Sequence, residues 1–180
     1  VPGFKKYFEK HYPSQIKKPI VELINGVSRT FIELAQKNDK KPDKKFTVLY
    51  SGNMGLAQGL ETVIETAKIL QNYPIDFCFV GNGVKLQSLE EKSKQMDLDN
   101  VSFLPSQKKE SLIQIIKKAS VCLVPLKNEP LFRHAIPSKL FEYMACGRPV
   151  IVSIEGEVEK IIKRANSGLM AIPEDADSIA

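Results

Sequence analysis

The chain of 180 residues has no tryptophan and only three cysteines, Cys78, Cys122 and Cys146. Their number is odd, and two of them sit inside the apolar runs FCFVG and VCLVP, which favours reduced thiols over a disulfide framework, and no spacing among them suits a metal. Reduced, structural thiols are expected. No apolar run reaches the roughly 18 residues that crossing a bilayer requires, and no charged, apolar and small-residue pattern marks a signal peptide. The cytoplasm is therefore the expected compartment. Internal repeats are absent as well. What is present, 43% hydrophobic and 26% charged residues, is the composition of a globular protein long enough to bury a sizeable core.

The formal charge of +5 is unevenly distributed. Residues 1–48 hold 11 Lys or Arg against 5 acids, and the remainder hold 15 against 16. A basic N-terminal stretch attracts anionic surfaces, but this one lacks the aromatic interleaving or groove-reading helix of a nucleic-acid binder. A solvated surface, with a membrane-facing role as the second reading, is what it implies. The chain begins at Val1 rather than with methionine, as expected of a piece of a longer protein. Within residues 1–45 come an amphipathic piece, the turn YPS, a strand-like IVELING (residues 20–26) and the lysine-rich KNDKKPDKK (residues 37–45), which reads as a surface loop around Pro42.

From Phe46 onward, short apolar runs alternate with helical patterns. The strands are Phe46 to Gly52, Ile75 to Gly81, Asn100 to Leu104, Ser120 to Leu126 and Pro149 to Ser153, mostly continuous runs of the kind buried on both faces. The crossover helices are Gln58 to Gln71, Val84 to Met96, Lys108 to Ala119, Ser138 to Cys146 and Val158 to Ala165. An α/β, doubly wound parallel sheet follows. Ligands of such sheets bind outside the carboxyl ends of the strands, where loops lead into helices.

Three segments fall there. Ser51 to Leu60 contains Gly52, Asn53, Gly55, Gln58 and Gly59; glycines at a strand-to-helix turn let a phosphate approach backbone amides. The segment matches neither G-x-G-x-x-G nor G-x-x-x-x-G-K-[ST]. Gly81, Asn82 and Gly83 form a second such turn, able to line a cleft or merely to reverse the chain. Arg133 to Val150 is the most informative. Pro137 suits a helix start, Ser138 can cap it, and Gly147 and Pro149 stop it. The free amides at its start favour an anion. Glu142, four residues on, lies on the same face roughly 6 Å along the axis. A diphosphate at Ser138 and Lys139 with ribose hydroxyls at the Glu142 carboxylate fits that spacing, and Lys139 and Arg133 add positive charge.

The order NGV (Asn25 to Val27), Y-S-G-x-x-G-x-x-Q-G-L (Tyr50 to Leu60), F-V-G-N-G (Phe79 to Gly83), N-V-x-F-L (Asn100 to Leu104) and P-S-K-L-F-E-Y-M-A-C-G-R-P-V (Pro137 to Val150) resembles the C-terminal domain of the retaining glycosyltransferase family 4. The likeness is greatest to bacterial members that build surface polysaccharides on polyprenyl-linked intermediates. It implies the C-terminal half of a GT-B fold, Rossmann-like, with residues 1–45 connecting the domains and supplying the first strand region of the donor domain. Residues 46–180 would then be the nucleotide-sugar-binding domain without its final helices, and the N-terminal acceptor domain is absent. By the same likeness Glu142 matches the second glutamate of the family's E-x7-E motif, on the donor ribose. Ser138 and Lys139 match the positions whose amides meet the diphosphate, and Leu104 and Pro105 match the loop at the nucleobase.

Two departures stand out. The first glutamate of E-x7-E falls at His134, which is then expected to read the donor sugar, and the usual basic pair of the glycine loop falls at Asn53 and Gln58. Arg133 and Lys139 are expected to supply the missing charge. The implied activity is hexosyl-type transfer from a nucleoside diphosphate sugar, with UDP the first expectation, to a polysaccharide or lipid-linked acceptor. It is expected to need no cofactor or metal, to take no nucleic acid, and to be located in the cytoplasm, with the inner face of the membrane as the second expectation. The chain offers no nucleophile, and alone it should turn over nothing. A noncatalytic nucleotide-binding module and a nucleotide-sugar epimerase of GT-B architecture are the alternatives.

Overall fold

The computed structural model describes residues 2–23, 25–37 and 45–180. In chain order the elements are α1 (Pro2–His11), a 3-10 turn (Pro13–Gln15), α2 (Arg29–Lys37), β1 (Phe46–Asn53), α3 (Leu60–Ile69), β2 (Ile75–Asn82), α4 (Leu86–Gln95), β3 (Val101–Leu104), α5 (Lys109–Lys118), β4 (Val121–Pro125), a second 3-10 turn (Pro130–His134), α6 (Ser138–Ala145), β5 (Val150–Ser153), α7 (Glu157–Ala165), β6 (Gly168–Met170) and α8 (Ala176–Ile179). The six strands form one sheet in the order β3-β2-β1-β4-β5-β6, and every pairing is parallel. The order reverses between β1 and β4. This is the doubly wound, Rossmann-like arrangement that the alternating pattern implies.

Both faces of the sheet are covered, which is why the strands read as continuous apolar runs. Leu49, Cys122, Val124 and Val152 point to one face, under Phe31 and Ala35 of α2, Ile113 and Ile116 of α5, Leu140 and Tyr143 of α6, and Val158 and Ile162 of α7. Val48, Tyr50, Phe77, Phe79 and Leu123 point to the other, under Leu60, Val63, Ile64 and Ala67 of α3, Leu89 of α4 and Ile179 of α8. All five residues of β4, at the centre, are buried.

Three features depart from the sequence reading. Of the strand-like stretch 20–26, the described residues lie outside any helix or strand, with Val21 and Leu23 77% and 78% exposed. A strand needs a neighbour, and the sheet ends on β3 and β6, so apolar β-branched composition alone did not make one. Helix α2, unforeseen, puts residues 29–37 into the packed body. The short β6 and α8 were also unforeseen, because three or four residues carry no periodicity. The lysine-rich loop falls mainly on residues 38–44, outside the described residues.

Candidate functional site

The loops at the carboxyl ends of β1 and β2 are locked together by their glycines. Gly52 and Gly81 stand opposite each other in the register, at φ +127° and +146°. A Cβ on Gly81 would lie 2.0 Å from the Gly52 carbonyl oxygen, so only hydrogen fits. The Met54 amide donates to the Asn82 carbonyl (2.8 Å) and the Lys85 amide to the Met54 carbonyl (2.9 Å). Gly83 continues the same contact, since a Cβ there would stand 2.4 Å from the Met54 carbonyl oxygen. Within the β1–α3 loop, Gln58 Oε1 accepts from the Gly55 amide (3.0 Å), and the Tyr50 hydroxyl donates to the Asn53 carbonyl (2.6 Å).

Helix α6 is fastened to the same strand end by Tyr143. The Ser51 amide donates to its phenol oxygen (2.8 Å), and the phenol lies 3.0 Å from Ser51 Oγ. Burial pushes the Tyr143 phenol well above its ordinary value, so it stays protonated. Tyr143→Phe strips the buried Ser51 amide of its acceptor. It is expected to cost about 1–3 kcal/mol of unfolding free energy, the usual penalty of an orphaned buried donor, readable by urea denaturation.

So held, α6 directs its start at the glycine loop. Its N-cap is Pro137, and no side chain caps it; Ser138 is the first helical residue, not the cap that its identity suggested. Proline takes the cap position because its fixed φ and missing N–H cost nothing there. The first amides of the helix are left without intrahelical acceptors. Lys139 Nζ lies 3.7 Å from the centre of the Tyr50 ring, and a Cβ on Gly52 would stand 3.2 Å from it. Although the lysine keeps some surface, its ammonium is enclosed by protein, and this desolvation lowers its pKa to about 7 while the Glu142 charge pulls the other way. Glu142 is half-buried, one turn along.

A cavity of about 360 Å³ opens between these loops, lined by Gly52, Asn53, Gly81, Asn82, Ser106 and Gln107 with Val80 and Leu112 behind them. The β3 side of its wall is made by Ser106 and Gln107, just beyond Leu104 and Pro105. Gln107 Nε2 donates to the Pro105 carbonyl (2.8 Å), which folds that loop toward the cavity. A second cavity of about 360 Å³ lies at the opposite end of the strands, with Thr66 and Ser120 as its polar side chains. It lacks the convergent polar groups of a ligand site.

Two anticipated residues lie apart from this cluster. Arg133 Nη2 pairs with Glu155 Oε2 at 3.1 Å, both side chains 52% exposed, so its charge is directed at the β5–α7 loop. His134 packs beneath α1, its ring centre 5.5 Å from Tyr7 and 6.2 Å from Phe4. Among the described residues no group of His, Cys, Asp and Glu could hold a metal ion, and no helix is long and apolar enough to cross a membrane.

An uncapped helix start and a polar cavity thus lie together at the switch-point end of a doubly wound sheet, the place where such folds receive ligands. The chain belongs to the family of glycosyl transferases group 1, whose model matches residues 31–180. It is 36% identical over 118 residues to a protein of Escherichia coli (strain K12) named as a colanic acid biosynthesis glycosyl transferase, covering 66% of this chain and 29% of that protein. The structure is similar to a sucrose-phosphate synthase from Thermosynechococcus elongatus (TM-score 0.77, 25% identity, 99% of this chain and 45% of that one). It also resembles an Anabaena protein solved in complex with UDP and glucose (TM-score 0.61, 16% identity, 93% and 46%). The chain thus spans less than a third of the E. coli relative and under half of both solved structures.

Proposed function

We propose that this chain is the donor-binding part of a retaining glycosyltransferase, the C-terminal half of a GT-B fold, and that it holds a nucleoside diphosphate sugar across the cleft at the ends of β1, β2 and β3. One observation carries the reading: the uncapped start of α6 brings Lys139 beside Gly52, with Glu142 one turn further along the same helix. Diphosphate then meets the amides of Ser138 and Lys139 and the Lys139 ammonium, the ribose hydroxyls donate to Glu142, and the base enters the cavity walled by Ser106 and Gln107. Stabilising the departing diphosphate with fixed amides and a cation is electrostatic catalysis. UDP is the favoured nucleotide, supported by the Anabaena neighbour, which was solved with UDP. A polysaccharide or lipid-linked acceptor is supported by the colanic acid name of the E. coli relative. Acceptor binding and turnover require the whole protein, as does any contact with a membrane surface.

Calorimetric titration of the chain with UDP-, GDP- and ADP-sugars tests this, since a ligand that binds only the folded state must stabilise it. One of the three should bind and raise the melting temperature; silence from all three sinks the reading. Glu142→Ala should weaken that ligand roughly 10- to 100-fold, the worth of hydrogen bonds to a charged acceptor, with little change in melting temperature of the free chain. Retention is read from the anomeric configuration of the product made by the whole protein.

A further inference from the structure

Lys139 is held in a way that its position on the helix does not demand. A lysine in a first helical turn ordinarily extends into water, keeping its rotamer entropy and hydration. Here the ammonium instead stands 3.7 Å from the centre of the Tyr50 ring, on a residue that is 1% exposed. The same tyrosine donates from its hydroxyl to the Asn53 carbonyl (2.6 Å). One side chain therefore touches both the cation delivered by α6 and the backbone of the glycine loop. The two neutral residues of that loop, Asn53 and Gln58, supply no charge, Gln58 accepting from the Gly55 amide, and Arg133, outside the loop, is turned to Glu155.

We infer that Tyr50 is a positioning residue for the donor diphosphate, its ring seating the Lys139 ammonium beside Gly52 while its hydroxyl fixes the glycine loop against that cation. This rests on the donor-binding reading above and names the device that makes it work with a single lysine. A carboxylate seat would hold an ammonium equally firmly but would neutralise it and repel the phosphates. An aromatic face attracts the cation through its quadrupole and adds no negative charge to cancel it or to repel the phosphates. The glycine at position 52 completes the seat, because any larger residue would crowd Nζ.

The test alters the face of the ring without altering its shape. The 180-residue chain is prepared with phenylalanine at position 50, with pentafluorophenylalanine at position 50, and with Lys139→Met in each background, and is titrated calorimetrically with the nucleotide sugar that binds the parent. Tyr50→Phe should keep the lysine-dependent part of the affinity. Pentafluorophenylalanine, whose face is no longer negative, should weaken binding about tenfold relative to Phe, and Lys139→Met should then add little. Equal affinity in the Phe and pentafluorophenylalanine forms, or the same Lys139→Met penalty in both, overturns the proposal. Lys139→Met without effect in the parent refutes the lysine–diphosphate contact itself, and the proposal with it. Circular-dichroism melts of each form distinguish a lost seat from a lost fold, and Tyr50→Phe, lacking only the hydroxyl, keeps the core volume.

Discussion

Lys139→Met is expected to melt at a higher temperature than the parent chain and to bind a nucleotide sugar at least tenfold less tightly. Burial lowers the pKa of this lysine from 10.5 to about 7. Between those values the unfolded chain binds more protons than the folded one, so stability rises with pH across the interval. The cost of keeping the lysine charged is fully present below about pH 7 and vanishes above the unfolded value. Each pKa unit corresponds to about 1.4 kcal/mol; allowing for the surface that Lys139 retains, the penalty relieved at pH 6 is on the order of 2–4 kcal/mol. Unfolding free energies measured by urea at pH 6, 7.5 and 9 should rise for the parent and stay flatter for the methionine form. Binding runs the other way. An arriving diphosphate recharges the lysine, so affinity of the parent should fall as pH climbs above 7 and approach that of the methionine form. A variant that melts no higher at pH 6, or binds as the parent does, contradicts the geometry on which the site depends.

Gly81→Ala is expected to be the most damaging single-methyl change in the molecule's site. The new Cβ would stand 2.0 Å from the Gly52 carbonyl oxygen, and its φ of +146° disfavours any side chain. The contact is with backbone on both sides, so nothing flexible can yield; strand ends β1 and β2 must separate. Losses above about 3 kcal/mol are expected by urea denaturation, the range of severe core and backbone strain, together with complete loss of donor binding. Gly147→Ala is the control. It too has positive φ, +66°, but nothing lies within 4 Å of its Cβ, so the penalty should be that of backbone conformation alone, about 1 kcal/mol. Equal effects of the two substitutions would show that the close approach of the loops is not what Gly81 provides.

Much of the fold was legible because the strands are buried on both sides and bounded by turn residues. FTVLY, DFCFV and VCLVP have no polar face to confuse with a helix, and Leu60, Val63, Ile64 and Ala67 repeat at helical spacing. Helix α2 was hidden because only Phe31 and Ala35 of its nine residues are buried, too few to make a stripe. IVELING misled for the converse reason, since strand composition cannot declare whether a partner edge exists. At the proposed site, Lys139 and Glu142 could be singled out as candidates from their spacing on a helix whose start and stop residues are explicit. The roles of Tyr50 and Tyr143 could not, because each acts on another element: Tyr50 on a lysine from α6, Tyr143 on Ser51, 92 residues away in sequence. Arg133 and His134 share the loop of the motif, yet Glu155 and the aromatic rings of α1 claim them.

The reversal of strand order between β1 and β4 also sets when the site can exist. Residues 46–104 wind one half of the sheet and residues 121–170 the other, and within the sheet the halves meet along the pairing of Val48 with Val121 and Leu49 with Cys122. Each half can gather from contacts close in sequence, but the seam closes a long loop and pays that entropy late. The glycine loop stands on one bank of the seam and α6 on the other. A diphosphate spanning them would act as a rivet, and amides near β1 and β4 should gain the most protection from hydrogen exchange when the sugar nucleotide is bound.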